Sequence, residues 1–436
     1  MRVYSTANTV RMQARFAIIR DAILVAEKNR ISHIVVMSAS STARSIARPR
    51  AAAPTRRRDA TRRTPVAAPR ASSSSSSSSA VESPTRVDSY YEWDEFPGRI
   101  HYERSGDPAT CVRHVLLLHG FGVGTFHYDA QLEALADDDT CVWAIDYCGQ
   151  GSSWPHGTRT TNADATAGFQ YSADTWRDQI EHFVDTVIGA PTYVAGNSLG
   201  GYLALYLAAT RPDLVRGLFL LNATPFWAFN PNDENDGSLL GKLAPWRGAL
   251  PAPGWIRAPL KAYWDSFRSV ENVRGLLGLV YRKKETLDDT LVRNIITPTD
   301  NDNALDAFCS VVWSPKAKLG FDDMLDEVNT RVTDGTMCVA MLYGRDDPWV
   351  VPLWGQRLKR AVPNADYYEL AETGHCPAHE SPATVNDLMG RYMRWHGGKG
   401  EKPSGSADGF GSLIDGKARN PFEKLEEWRY ERDRAQ

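Results

Sequence analysis

The 436-residue chain carries 50 Lys and Arg against 53 Asp and Glu, a near balance that conceals two unlike parts. The first 86 residues hold 16 basic and 4 acidic side chains, which leaves 34 basic against 49 acidic in the remainder. An acidic folded part argues against nucleic-acid binding, and no apolar run approaches the roughly eighteen residues of a membrane-spanning helix.

The leader is read first. Residues 1–36 contain apolar patches, Phe16–Ile19 and Ile31–Val36, suited to a short amphipathic helix. Met37–Ala71 holds nine arginines and one acid among many Ser, Thr, Ala and Pro, and Ser72–Ser79 is an unbroken serine run. That is transit-peptide composition. Met37-Ser38-Ala39-Ser40-Ser41 would itself open a plastid transit peptide, so Met37 is an alternative start. The other reading is a disordered basic tail that binds a polyanion. Residues 1–86 are thus expected to be a disordered transit peptide, 87–395 one domain, and 396–436 a charged, solvated tail. Six cysteines at irregular spacings point to free thiols rather than a disulfide framework.

Within the domain, strands alternate with helices as a parallel sheet requires. Val115–Leu118 reads as a buried strand ending in His119-Gly120-Phe121-Gly122-Val123-Gly124. These glycines do not match the Gly-x-Gly-x-x-Gly of a dinucleotide turn. Cys141–Ile145 is the next strand, and Asp146–Ser153 after it reads as a structural loop. Tyr171–Ile188 is a helix, with Trp176, Ile180, Phe183, Val184 and Val187 recurring at spacings of three and four. Thr192–Ala195 is β-prone, Leu199–Ala209 is helical, and Gly196-Asn197-Ser198-Leu199-Gly200-Gly201 lies between them as a nucleophile elbow. There the helix folds back across the strand, so a Cβ at Gly196 or Gly200 would clash, and Gly201 permits close helix packing.

After Gly217–Leu221 the alternation stops. Residues 225–334 read as a mostly helical cap between the sixth and seventh strands, holding Trp227, Trp246, Trp255, Trp264 and Trp313. Most of these should form the cap's own small core, with one or two free to line an apolar pocket. Met337–Tyr343 is a buried strand leading into Gly344-Arg345-Asp346-Asp347-Pro348. Tyr367–Leu370 is another, followed by Glu372-Thr373-Gly374-His375.

A serine hydroxyl is a weak nucleophile and needs a histidine base whose tautomer a carboxylate fixes. Ser198, Asp347 and His375 occur in the serine, acid, histidine order of α/β-hydrolases. Spacing from the glycine favours Asp347 over Asp346. The expected fold is therefore an α/β-hydrolase: a mostly parallel central sheet, helices on both faces, and a helical cap. Its oxyanion donors would be the backbone N–H groups of Phe121 and Leu199. His379, with Cys376 or His375, could be half of a metal pair, but no second close pair accompanies it, so no metal is expected. Cys376 reads as packing, with a redox-sensitive thiol as the alternative.

Seven segments carry a further resemblance: Leu118–Tyr128, Trp143–Gly151, Trp176–Gln179, Ala195–Tyr202, Leu220–Trp227, Tyr343–Gly355 and Gly374–Pro377. Together they resemble the pheophytinases, plastid hydrolases of chlorophyll breakdown, over residues 90–395 and most weakly in the cap. Asn197 and Asn222-Ala223-Thr224-Pro225-Phe226-Trp227 are more specific than the triad. His119 departs from the pattern, because plant members often carry proline there.

The resemblance implies hydrolysis of the phytyl ester of pheophytin to pheophorbide and phytol, with no cofactor. It implies a chloroplast location, in the stroma or at the thylakoid surface, with peripheral membrane contact and other chlorophyll-catabolic enzymes as candidate partners. His119, Asn197, Phe226, Trp227 and Trp349 are the candidate substrate contacts. The alternatives are a chlorophyll dephytylase or another plastid ester or lipid esterase and, from a different class, a hydrolase-like receptor or lipid carrier. Dehalogenases and many epoxide hydrolases of this fold use an aspartate nucleophile, against which Ser198 argues.

Overall fold

A computed structural model describes residues 86–224 and 246–403. Residues 1–85 of the expected transit peptide, the tail from 404, and 225–245 with Phe226 and Trp227 lie outside the described residues. Eight strands among the described residues form one sheet. They are β1 (Arg86–Glu92), β2 (Arg99–Ser105), β3 (Arg113–Leu118), β4 (Thr140–Ile145), β5 (Thr192–Asn197), β6 (Val215–Leu221), β7 (Cys338–Gly344) and β8 (Asp366–Leu370), in spatial order β1-β2-β4-β3-β5-β6-β7-β8. β1 and β2 enter antiparallel, and every pairing from β4 to β8 is parallel.

Among the described residues ten helices of six residues or more accompany them. These are α1 (Asp129–Ala134), α2 (Ala173–Phe183), α3 (Leu199–Thr210), α4 (Gly254–Phe267), α5 (Val270–Val280), α6 (Asp289–Ile296), α7 (Ala304–Trp313), α8 (Phe321–Thr333), α9 (Pro352–Ala361) and α10 (Pro382–His396). Parallel strands covered on both faces must be apolar throughout, which is why β3, β5, β6 and β7 are near-continuous hydrophobic runs. Their side chains alternate between two cores. Leu116, Leu118, Val194, Leu218, Leu220, Val339 and Met341 pack with Trp176, Ile180 and Phe183 of α2, with α3, and with Met324, Leu325 and Val328 of α8. Val115, Leu117, Ala195, Phe219, Leu221, Ala340 and Leu342 pack on the other face with Leu132 of α1 and with Val385, Leu388, Met389 and Tyr392 of α10.

Two elements differ from their expected form. The helix expected over 171–188 begins at Ala173, capped by Ser172, whose hydroxyl accepts from the Thr175 N–H at 3.2 Å. It widens over Val184–Ile188 and stops at Gly189, whose φ of 69° few other residues adopt. The last helix of the expected cap, α8, packs against α3 in the first core rather than within the insertion. The insertion's own core is small. Ile256 and Leu260 of α4 meet Leu305, Phe308 and Cys309 of α7, and Trp246, Trp255, Trp264 and Trp313 pack against them.

Candidate active site

Ser198 stands where β5 turns into α3, with φ 54° and ψ −115°. A side chain held in that backbone region costs on the order of 1–3 kcal/mol and persists only where its surroundings dictate it. Here the Ser198 N–H donates to Leu221 O at 3.0 Å, and Ser198 O accepts from the N–H groups of Gly201 at 3.0 Å and Thr224 at 3.1 Å. A Cβ on Gly196 would lie 2.2 Å from the Gly200 carbonyl carbon, and one on Gly200 would lie 2.0 Å from Leu118 O. The helix therefore recrosses the strand at backbone contact, which is what leaves the serine at the apex.

The carboxyl ends of β7 and β8 bring the other two groups. His375 Nδ1 lies 2.7 Å from Asp347 Oδ2, and the two residues are 6% and 3% exposed. A carboxylate at Nδ1 holds the proton there and leaves Nε2 as the basic nitrogen. Asp347 is fixed on both oxygens. Oδ1 accepts from the N–H groups of Trp349 at 2.7 Å and Val350 at 3.2 Å, while Oδ2 also accepts from Asn222 Nδ2 at 2.6 Å. Asp346 is exposed and pairs at 3.3 Å with Arg282 Nε. Of the two adjacent aspartates, only Asp347 meets His375.

The loop after β3 closes over the elbow. A Cβ on Gly120 would stand 3.6 Å from Ser198 Cβ. The loop is pinned by Gly122 N–H donating to Gln150 Oε1 at 2.8 Å, and by Tyr147 Oη donating to His119 O at 2.9 Å. Leu199 is the first residue of α3, so its N–H has no intrahelical acceptor. Phe121 is half-buried and packs against both the sheet core and the insertion core.

Two expected substrate contacts, Asn197 and His119, are buried in the structure. Asn197 is 2% exposed, and its Nδ2 donates to Leu221 O and to His375 O, each at 2.9 Å. It ties the strand that ends at Ser198 to the loop that carries His375. His119 is fully buried, with Nδ1 at 2.6 Å from Gly120 O and Nε2 accepting from the Tyr147 N–H at 3.3 Å. Burial lowers its pKa, partly opposed by the Asp146 charge, so a neutral imidazole shapes the loop from behind. Trp349 is half-buried, its ring centroid 5.4 Å from that of His375. His379 stacks on His127 at 5.0 Å, and among the described residues no group of three or more His, Cys, Asp or Glu is placed to hold a metal. Burial pushes the Cys376 thiol well above its ordinary range.

Several supporting residues carry roles that the sequence does not assign to them. Asn222, at φ 43°, donates to Asp347 and accepts the Gly344 N–H on Oδ1 at 2.9 Å, bridging β6 and β7. Tyr128 Oη donates to Leu118 O at 2.9 Å and accepts the Asn197 N–H at 3.2 Å. Asp146 accepts the N–H groups of Thr125 and Ser152, both at 2.8 Å. The available signal was a polar residue directly after an apolar strand, which Asn222 and Asp146 share.

Known proteins show the same architecture. The chain is 40% identical over 326 residues to the chloroplastic pheophytinase of Arabidopsis thaliana, a match covering 70% of this chain and 66%, just under two thirds, of that protein's own length. It is 24% identical over 300 residues to a 2-hydroxy-6-oxononadienedioate/2-hydroxy-6-oxononatrienedioate hydrolase of Cupriavidus pinatubonensis, covering 68% of this chain and 90% of the relative. The solved structure of a serine hydrolase from Cycloclasticus zankles superposes with a TM-score of 0.51 at 18% identity, over 71% of this chain and 98% of that one. A family model described as the alpha/beta hydrolase family matches residues 115–388, from β3 through the serine elbow to α10. With that span and an eight-stranded, mostly parallel sheet bearing a serine elbow, the chain belongs to the alpha/beta hydrolase family.

Proposed function

We propose that this protein is a chloroplast serine esterase that cleaves the phytyl ester of pheophytin, releasing pheophorbide and phytol. The observation that carries the proposal is the His375–Asp347 pair at 2.7 Å, tied through Asn197 to the Ser198 elbow, in a chain 40% identical to a chloroplastic pheophytinase.

These placements support the following chemistry. Ser198 Oγ attacks the ester carbonyl while His375 Nε2 takes its proton, and Asp347 stabilises the imidazolium. The N–H groups of Phe121 and Leu199 hold the oxyanion, and each such donor is worth on the order of a hundredfold to a thousandfold in rate. His375 returns the proton to departing phytol, then activates water to release pheophorbide from the acyl-enzyme. Trp349 beside the base and Phe121 under the insertion form the aromatic border of the site. Phytyl is a long, branched, largely saturated hydrocarbon chain, and each CH₂ removed from water contributes about 0.8 kcal/mol. Contact with part of it would give several kcal/mol of binding.

Purified protein incubated with pheophytin and, separately, with chlorophyll should release phytol from pheophytin. Release only from chlorophyll would reassign it as a chlorophyll dephytylase. Release from neither, with turnover of simple esters, would leave a general esterase.

A further inference from the structure

Beyond the residues that touch substrate, we propose that Glu380 is a positioning residue that locks the segment after α5 of the helical insertion and the histidine loop into one unit. Its side chain is 2% exposed and lies in the single helical turn Pro377–Glu380 that follows His375. Four backbone N–H groups converge on it. Oε1 accepts from Gly374 at 3.1 Å and Cys376 at 3.2 Å, the residues on either side of His375. Oε2 accepts from Arg282 at 2.7 Å and Lys283 at 3.0 Å, just after α5 of the insertion.

The two groups of donors also meet directly, because the His375 N–H donates to Val280 O at 3.0 Å. A Cβ on Gly374 would stand 2.3 Å from Val280 O and 2.9 Å from Glu380 Oε1, so the three strands of chain are at closest approach. Lys283 Nζ completes the tie, donating to Glu380 O and Ser381 Oγ, each at 2.9 Å.

An ionised carboxylate is an acceptor on both oxygens, which matches four donors and no acceptor. A glutamine would turn its NH₂ toward one pair of N–H groups. Whichever way it flipped, either the histidine loop or the insertion would be released. Glu380 acts through that loop and not on the reacting atoms. The backbone that aims His375 is thereby the same unit that anchors the insertion, so the position of the base depends on how the insertion sits.

This inference rests on the serine-esterase reading, and the test separates the two. Ser198 is titrated with a fluorophosphonate, which reports the nucleophile and its base without reference to the natural substrate. Failure of the wild type to label would overturn the esterase reading itself. In Glu380→Gln, the expected result is labelling slowed at least about tenfold well below the variant's unfolding midpoint, with kcat on a simple ester falling by a similar factor and KM nearly unchanged. Ile180→Ala, a cavity in distant α2, should label at the wild-type rate despite its lower stability. Wild-type labelling in Glu380→Gln overturns the proposal. If that variant does not fold, hydrogen exchange on the wild type decides: peptides spanning 281–284 and 374–377 should open together, and free exchange of the first beside protection of the second overturns it.

Discussion

The side chains proposed to do the chemistry are few, and the ones that hold them in place are more numerous. Asp347 accepts from three donors besides His375, and the only side chain among them is Asn222. Hydrogen bonds to a charged group contribute about 1.5–3 kcal/mol. Asn222→Leu should therefore lower kcat/KM on an ester by roughly 10- to 150-fold with the fold retained, measured by steady-state kinetics beside circular dichroism; an unchanged kcat/KM would leave Asn222 a mere link between strands. At this scale the sequence was legible where chemistry restricts the choice. Ser198 needs its glycines, and spacing from Gly344 singles out Asp347. It was not legible where only direction matters. Asn197 adjoins the nucleophile, yet its side chain turns into the protein toward Leu221 O and His375 O. His119 likewise sits in the loop over the elbow but faces Tyr147 and Asp146. Adjacency in the chain says nothing about which way a side chain leaves it.

Among elements, the seam between β5, α3 and β6 sets the site. Gly201 on α3 faces Ala223 so closely that a Cβ there would lie 2.4 Å from Ala223 Cβ and 2.9 Å from its Cα. Gly201→Ala should cost about 1–3 kcal/mol through overpacking and slow turnover by displacing the first turn of the helix that carries the Leu199 N–H. Thermal unfolding and steady-state kinetics on the same variant check both effects. Strands β3 to β7 could be read as apolar runs because both of their faces are covered, whereas β8 carries Asp366 and Glu369. β1 and β2 were not separately placed: β1 alternates exposed and half-buried residues at the sheet edge, a pattern shared with loops. Residues 225–334 read as one insertion because the alternation of strands and helices stops after Leu221, and the helix Phe321–Thr333 falls inside that range. Its period fixes which face is apolar, but not that the face meets α3 rather than α7.

For the molecule as a whole, histidines buried in neutral form tie stability to pH. His127 is buried, its Nε2 2.6 Å from Tyr281 Oη and its ring stacked on His379. Burial, together with neighbouring His379, His119 and His375, holds its pKa well below the usual 6.5. The unfolded chain then takes up a proton at this site, below about pH 6.5, that the folded chain refuses. Stability is full above that pH and falls as the pH drops, by about 1.4 kcal/mol per pH unit for one proton. His127→Gln should remove that part of the slope between about pH 6.5 and 5 in urea titrations; parallel curves for variant and wild type would contradict it. The charge contrast between a basic leader and an acidic domain belongs to this scale too, and it was legible from composition alone. The substrate was not, because apolar side chains in an insertion specify a class of ligand and not a pigment. The most direct measurement is turnover of pheophytin in water carrying heavy oxygen, with Ser198→Ala alongside. The account predicts pheophorbide with one heavy oxygen in its new carboxylate, unlabelled phytol, and a rate lower by at least about ten-thousand-fold in the variant. Heavy oxygen in phytol, undiminished turnover by Ser198→Ala, or no turnover of pheophytin by the wild type would contradict it.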